Sequence, residues 1–133
     1  MTPLALIGFS KRTMYGVYNL PKDVEIWSVN NCHWHNLPRI DRAFDIHTLE
    51  YIHLPLGLTP ELRDAHVAWL QEEHEFPIYM QEAFPQFPAS VPYPLADVLK
   101  LSPKKRLTSS FPYMMALAIL EFITEGKHKQ IYV

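Results

Sequence analysis

With a single cysteine, Cys32, the chain cannot close a disulfide within itself, which suits a reducing compartment such as the cytoplasm. Glycine is scarce, four residues against twelve prolines, so the connections are expected to be rigid and extended rather than supple. No uncharged apolar run approaches the ~20 residues that span a bilayer. The most apolar stretch, Phe111 to Ile119, soon meets Glu121 and reads as core. Residues Met1 to Ile7 lack the basic start and the long apolar centre of a secretory signal. Charge of one sign is also missing. A formal net charge of −2 provides no field for duplex nucleic acid, so any affinity for phosphate must come from local geometry. No internal repeat is visible.

What is present is an ordinary globular composition, 48% hydrophobic and 20% charged, which at 133 residues makes one domain with a real core. Leu4–Ile7 is an apolar run stopped by Gly8, and Val24–Val29 alternates before stopping at Asn30-Asn31; both read as strands. Between them Lys11–Leu20 makes a short crossover helix, punctuated by Gly16 and Pro21. A third strand is expected over Ala43–His47 and a fourth over Pro77–Met80. Thr59-Pro60-Glu61 is a helix start, with a capping hydroxyl, proline at the first helical position and an early carboxylate. The helix it opens should run to about His74 and bury Leu62, Ala65, Trp69 and Leu70. The proline-interrupted segment Phe84–Pro92 is expected to hold little regular structure. A short helix over Leu95–Leu101 precedes a basic turn, Pro103-Lys104-Lys105-Arg106. The last helix runs from about Phe111 to Glu125, stopped by Gly126, and Ile131–Val133 is a terminal strand. Strands alternating with helices give an α/β fold, a mostly parallel sheet of about five strands flanked by helices.

In such sheets ligands sit beyond the carboxyl ends of the strands, and the polar residues of this chain fall there. Thr108-Ser109-Ser110 opens the last helix, where backbone N–H groups lack partners and the helix end carries partial positive charge. One hydroxyl suffices for a cap, worth about 1 kcal/mol; three in a row also suit an anion. Gly8-Phe9-Ser10-Lys11-Arg12 sets a hydroxyl and two cations after the first strand, either around a phosphate or in a solvated turn. Asn30 and Asn31 either read a base or ribose through their amides or close the strand by turn hydrogen bonds. Trp34 and Tyr113 are the candidates for stacking on a base, while Trp27, inside a strand, reads as core. His47, at a strand end, suits a general base or a hydrogen bond to phosphate as well as a structural bond. His33, His35, Asp45 and His47 invite a metal, but two neighbouring histidines without a third ligand of known position are weak grounds, and no metal or cofactor is expected. Cys32 has no activating neighbour in sequence and reads as a buried or loop thiol.

Gly8-Phe9-Ser10, Glu25–Asn30, Phe44-Asp45-Ile46-His47, Pro77–Gln81, Tyr93-Pro94-Leu95 and Thr108–Ile119 together resemble a family of small Rossmann-like proteins encoded by bacteriophages. The resemblance covers nearly the whole chain. More remotely the chain is similar to bacterial sialyltransferases that use a CMP-activated sugar. That likeness implies a single Rossmann-like nucleotide-binding domain over residues 1–133. Gly8, Ser10, Asn30 and the Thr108–Ser110 segment would hold the nucleotide. Ser110 stands where the transferases have glycine. Their catalytic histidine lies in a region beyond the point where this chain stops, so transfer is not expected.

The expected function is therefore non-catalytic binding of a nucleotide or nucleotide-derived signal, with a phage-type protein sequestering an immune second messenger in the host cytoplasm. The alternatives are a reduced nucleotide-sugar transferase or nucleotide hydrolase using His47, and an interaction module that presents Phe84–Pro94 to a host protein. The terminal strand, at a sheet edge, also invites pairing into a homo-oligomer.

Overall fold

The computed structural model describes residues 2–53, 59–101, 107 and 109–133. Its centre is a sheet of six parallel strands. These are β1 (Leu4–Ile7), β2 (Glu25–Val29), β3 (Arg42–Phe44), β4 (Ile78–Met80), β5 (Ser90–Pro92) and β6 (Ile131–Tyr132). Their spatial order is β5-β4-β3-β2-β1-β6. The chain thus steps outward in one direction from β1 to β5 and then returns to the far side of β1. The expected α/β architecture holds, with one strand more than anticipated. The extra strand is β5, inside the proline-interrupted segment. Ser90 allows it, since its buried hydroxyl bonds the Phe84 N–H and the Phe84 and Phe87 carbonyls, closing the turn that feeds β5.

Alternating side chains divide the core between the two faces of the sheet. On one face Leu4, Leu6, Trp27, Val29 and Phe44 pack with Val98, Met114, Leu117 and Ala118. The last four belong to α4 (Leu95–Leu101) and α5 (Ser110–Glu125). On the other face Ala5, Ile7 and Ile26 meet Met14 and Val17, from α1 (Lys11–Gly16) and the 3-10 turn Val17–Asn19. Further along that face Ala43, Ile78 and Met80 meet Ile52 of α2 (Leu49–His53) and Leu70 of α3 (Pro60–Gln71). A parallel sheet covered on both faces needs apolar residues on both sides of its strands, and β1 and four residues of β2 are buried throughout.

The local signals explain the helix ends. The Thr59 hydroxyl accepts the Leu62 N–H, with Pro60 in the first turn, so α3 starts where the sequence indicated. It stops at Gln71, three residues before His74, and it is rotated from the expected face. His66 and Leu70 are buried while Leu62 is exposed. Gly126 ends α5 in the left-handed region at φ 69°, a conformation only glycine adopts at no steric cost. The third strand is shorter than expected and ends at Phe44, which leaves Asp45 and His47 beyond it. A second buried cluster braces the amino ends of the strands. There the Arg42 guanidinium lies 4.6 Å from the Trp27 ring and pairs with Glu25 and Glu121. Glu121 in turn bonds His128 at 2.6 Å.

Candidate functional site

Two groups of polar residues stand at the carboxyl rim of the sheet. The first joins β1, β2 and the start of α5. Asn30 follows β2 and turns into the left-handed region at φ 49°, which asparagine tolerates better than most residues. Its Oδ1 accepts the Ser110 hydroxyl at 3.1 Å, tying the strand end to the helix start across 80 residues of chain. Gly8 lies beneath the Phe111 ring, so that a Cβ there would touch it at 3.5 Å. Ser109 occupies the capping position with extended backbone, but its hydroxyl makes no capping bond to the helix and is exposed. The plain capping role is therefore not the one this serine performs. Tyr113, half-buried, sets its ring against the edge of Tyr93 at 5.0 Å, and its carbonyl accepts the Tyr93 hydroxyl.

The second group is centred on Asp45, a carboxylate only 2% exposed, at the end of β3. Its Oδ1 meets His47 Nδ1 at 2.6 Å and the His47 N–H at 3.3 Å, and its Oδ2 meets His66 Nε2 at 2.8 Å. His66 Nδ1 continues to His33 Nε2 at 2.9 Å. His33 is stacked on Trp69, centroids 3.8 Å apart and planes within 3° of parallel, and His47 is stacked on Tyr51 at 4.3 Å. Four titratable side chains from the exit of β3, α3 and the 3-10 turn Asn30–His35 thus form one hydrogen-bonded chain. Val29 pairs with Phe44, so Asn30 and Asp45 leave neighbouring strands at the same level and the two groups adjoin on the rim.

Burial would raise the Asp45 carboxyl, but the bonds from His47 and His66 outweigh it and hold the group below its ordinary value. An ionised carboxylate only accepts, so each imidazole nitrogen facing Asp45 must carry a proton. His33 is pushed down to about 3, first by burial and then by the neighbouring His66 and His74. These shifts have one sign in a stability profile. Between its ordinary value of 6.5 and about 3, His33 takes up a proton in the unfolded chain and refuses it in the folded one. The depressed Asp45 and Glu121 carboxyls add to the loss of stability as the pH falls below their ordinary values of 3.8 and 4.5. Urea midpoints should be level near neutrality, decline below pH 6.5 and fall more steeply below 4.5. His33→Phe, which keeps a ring on Trp69, should flatten the upper part of that decline. A midpoint that rises on acidification would contradict this.

The remaining candidates are distributed more widely. Phe9, Ser10, Lys11 and Arg12 are exposed at the entry to α1, and the Ser10 side chain makes no capping bond. Arg12 lines a groove of about 230 Å³ with Val17, Tyr132 and Val133, between α1 and β6. That groove lies by the β1–β6 pair, where the strand order reverses, and contains neither Asn30 nor Ser110. Asn31 is half-buried in the 3-10 turn, and Trp34, expected in a loop, is on the same turn with its ring edge-on to His33 and His66. Cys32 is fully buried there, its thiol pushed up to about 11 by burial, which keeps it an un-ionised core group. Thr108 and the basic residues Lys104, Lys105 and Arg106 lie outside the described residues.

His66 was the residue that sequence reasoning missed. Its one signal is its place four residues before Leu70, with which it shares the face that α3 buries. Among the described residues no three of His, Cys, Asp and Glu are grouped so as to hold a metal ion. No described helix is long and apolar enough to cross a membrane. Comparisons with protein-family models, with curated proteins and with solved structures found no match to this chain.

Proposed function

We propose that the carboxyl rim binds a nucleotide or another phosphorylated small molecule, with a phosphate at the start of α5. The observation that carries this reading is the Ser110–Asn30 hydrogen bond next to an exposed Ser109 hydroxyl that makes no capping bond. Free N–H groups and the positive end of a 16-residue helix favour an anion there. Retention of the ligand requires nothing more than these contacts. In a phage-type protein, retention would withdraw a nucleotide-derived signal from the host. A second reading, turnover of the ligand, is favoured by the imidazole that Asp45 holds at the same rim.

Calorimetry with mononucleotides, cyclic oligonucleotides and ADP-ribose tests the binding. Ser109→Ala should weaken the best ligand at least about tenfold, the scale of one charge-assisted hydrogen bond. The unfolding midpoint should hardly move, because that serine is exposed and caps nothing. A lost midpoint with unchanged affinity would assign the hydroxyl to the fold, and no binding across the panel would overturn the reading.

A further inference from the structure

We propose that His47 is a general base at this rim and that the protein hydrolyses a phosphate ester or phosphoanhydride bond of its nucleotide-type ligand. The inference rests on the reading of the rim as a phosphate site and replaces retention by turnover. Asp45 accepts from His47 Nδ1 at 2.6 Å and from the His47 backbone N–H, fixing both the ring and its tautomer. With the proton on Nδ1, Nε2 carries the lone pair, and among the described residues it has no hydrogen-bond partner. The His47 side chain is 32% exposed, whereas the Asp45 side chain is 4% exposed, so the imidazole meets solvent and its carboxylate does not. Tyr51 stacks on the ring at 4.3 Å and limits its swing.

His66 and His33 extend the arrangement inward. The second carboxylate oxygen accepts His66 Nε2 at 2.8 Å, and one proton lies between His66 Nδ1 and His33 Nε2 whichever ring donates it. This holds Asp45 ionised and in place, so it can stabilise an imidazolium formed on His47. A phosphate oxygen is itself only an acceptor, so a bare Nε2 does not bind it. The natural partner of that nitrogen is a donor, water or a hydroxyl. In the step, a water proton passes to His47 Nε2 as the water oxygen bonds to phosphorus. The bond from phosphorus to the leaving oxygen breaks, and its electron pair stays on that oxygen. The proton on Nε2 then passes to the leaving group and restores the neutral imidazole. His47 is the catalytic residue of this scheme, and His66 a positioning residue.

The test incubates the intact protein with the four ribonucleoside triphosphates, ADP-ribose and a cyclic dinucleotide, separating products by chromatography while calorimetry reports binding. Conversion of a bound compound is expected. His47→Ala should slow it at least about a hundredfold, the scale of a removed general base, with affinity little changed. Added imidazole should restore part of the rate. His47→Gln, which can still donate to Asp45, keeps the test open if the alanine variant fails to fold. His66→Gln should shift the acid limb of the rate profile without abolishing binding. A compound that binds and is recovered intact sinks the base and leaves the binding site standing. Equal rates in wild type and both His47 variants also sink the base. A panel with no binding at all overturns both readings.

Discussion

Asp45→Ala is expected to lower the stability of the folded chain by about 3 kcal/mol, the scale of a buried group deprived of its charged partner. The substitution removes the acceptor of three donors at once: His47 Nδ1, His66 Nε2 and the His47 N–H. His66 is only 7% exposed, so water is a poor replacement for the lost bond. The substitution also empties a buried position at the exit of β3. Asp45→Asn keeps the volume and should cost less. Its single carbonyl oxygen satisfies only one imidazole, and its NH2 confronts the donor of the other. Urea denaturation at neutral pH measures both variants. If the alanine variant lost less than about 1 kcal/mol, the carboxylate would not be the centre that organises this part of the rim.

Glu121→Ala is expected to cost a similar amount, about 3 kcal/mol, at the opposite end of the strands. Glu121 accepts Arg42 on one oxygen and His128 on the other, and both partners are buried or nearly so. Burial would raise this carboxyl, and the bonds from Arg42 and His128 hold it below its ordinary value instead. Without it Arg42 keeps Glu25, which also accepts the Trp27 indole N–H at 2.7 Å, and a longer bond to the Tyr79 hydroxyl at 3.4 Å. His128 loses the partner of Nε2, and its Nδ1 already has none among the described residues. This cluster joins α5 to β2 and β3, so its loss loosens the helix whose first turn forms the proposed phosphate site. Glu121→Gln, which keeps the shape and one acceptor, should retain more than half of the lost stability. If both variants unfolded at the wild-type midpoint, the pairing would be a surface-like ion pair of little weight.

The sequence and the structure agree most closely where the local signals are strong. Thr59-Pro60-Glu61 and Gly126 mark helix ends through capping chemistry that acts within one turn, and both ends lie where expected. The strand β1 reads clearly because burial on both faces makes it a continuous apolar run, and β2 because its alternation stops at Asn30-Asn31. β5 did not, since three residues containing a proline carry too little pattern. What defines it is the Ser90 hydroxyl, six residues from its partner Phe84. Within the candidate site, Gly8, Asn30, Ser110 and His47 were legible as polar punctuation at strand and helix ends. The pairing of Asn30 with Ser110 spans 80 positions and becomes visible only once the sheet is assembled. The Asp45-centred chain was half legible. Asp45 and His47 share a short segment, but His66 arrives from a helix whose buried face turned out to be rotated, and His33 from a 3-10 turn. Arg12 went the other way, towards the β6 edge, because α1 carries it onto a different groove.

A phosphorylated ligand is proposed to sit on the carboxyl rim, between the start of α5 and His47. A crystal structure of the protein with its tightest-binding nucleotide from the calorimetric panel tests this most directly. Phosphate density is expected against the Ser109 hydroxyl and the first N–H groups of α5, with a water or hydroxyl of the ligand on His47 Nε2. A nucleotide seated instead in the groove beside Arg12 and Tyr132, with the start of α5 unoccupied, would contradict it.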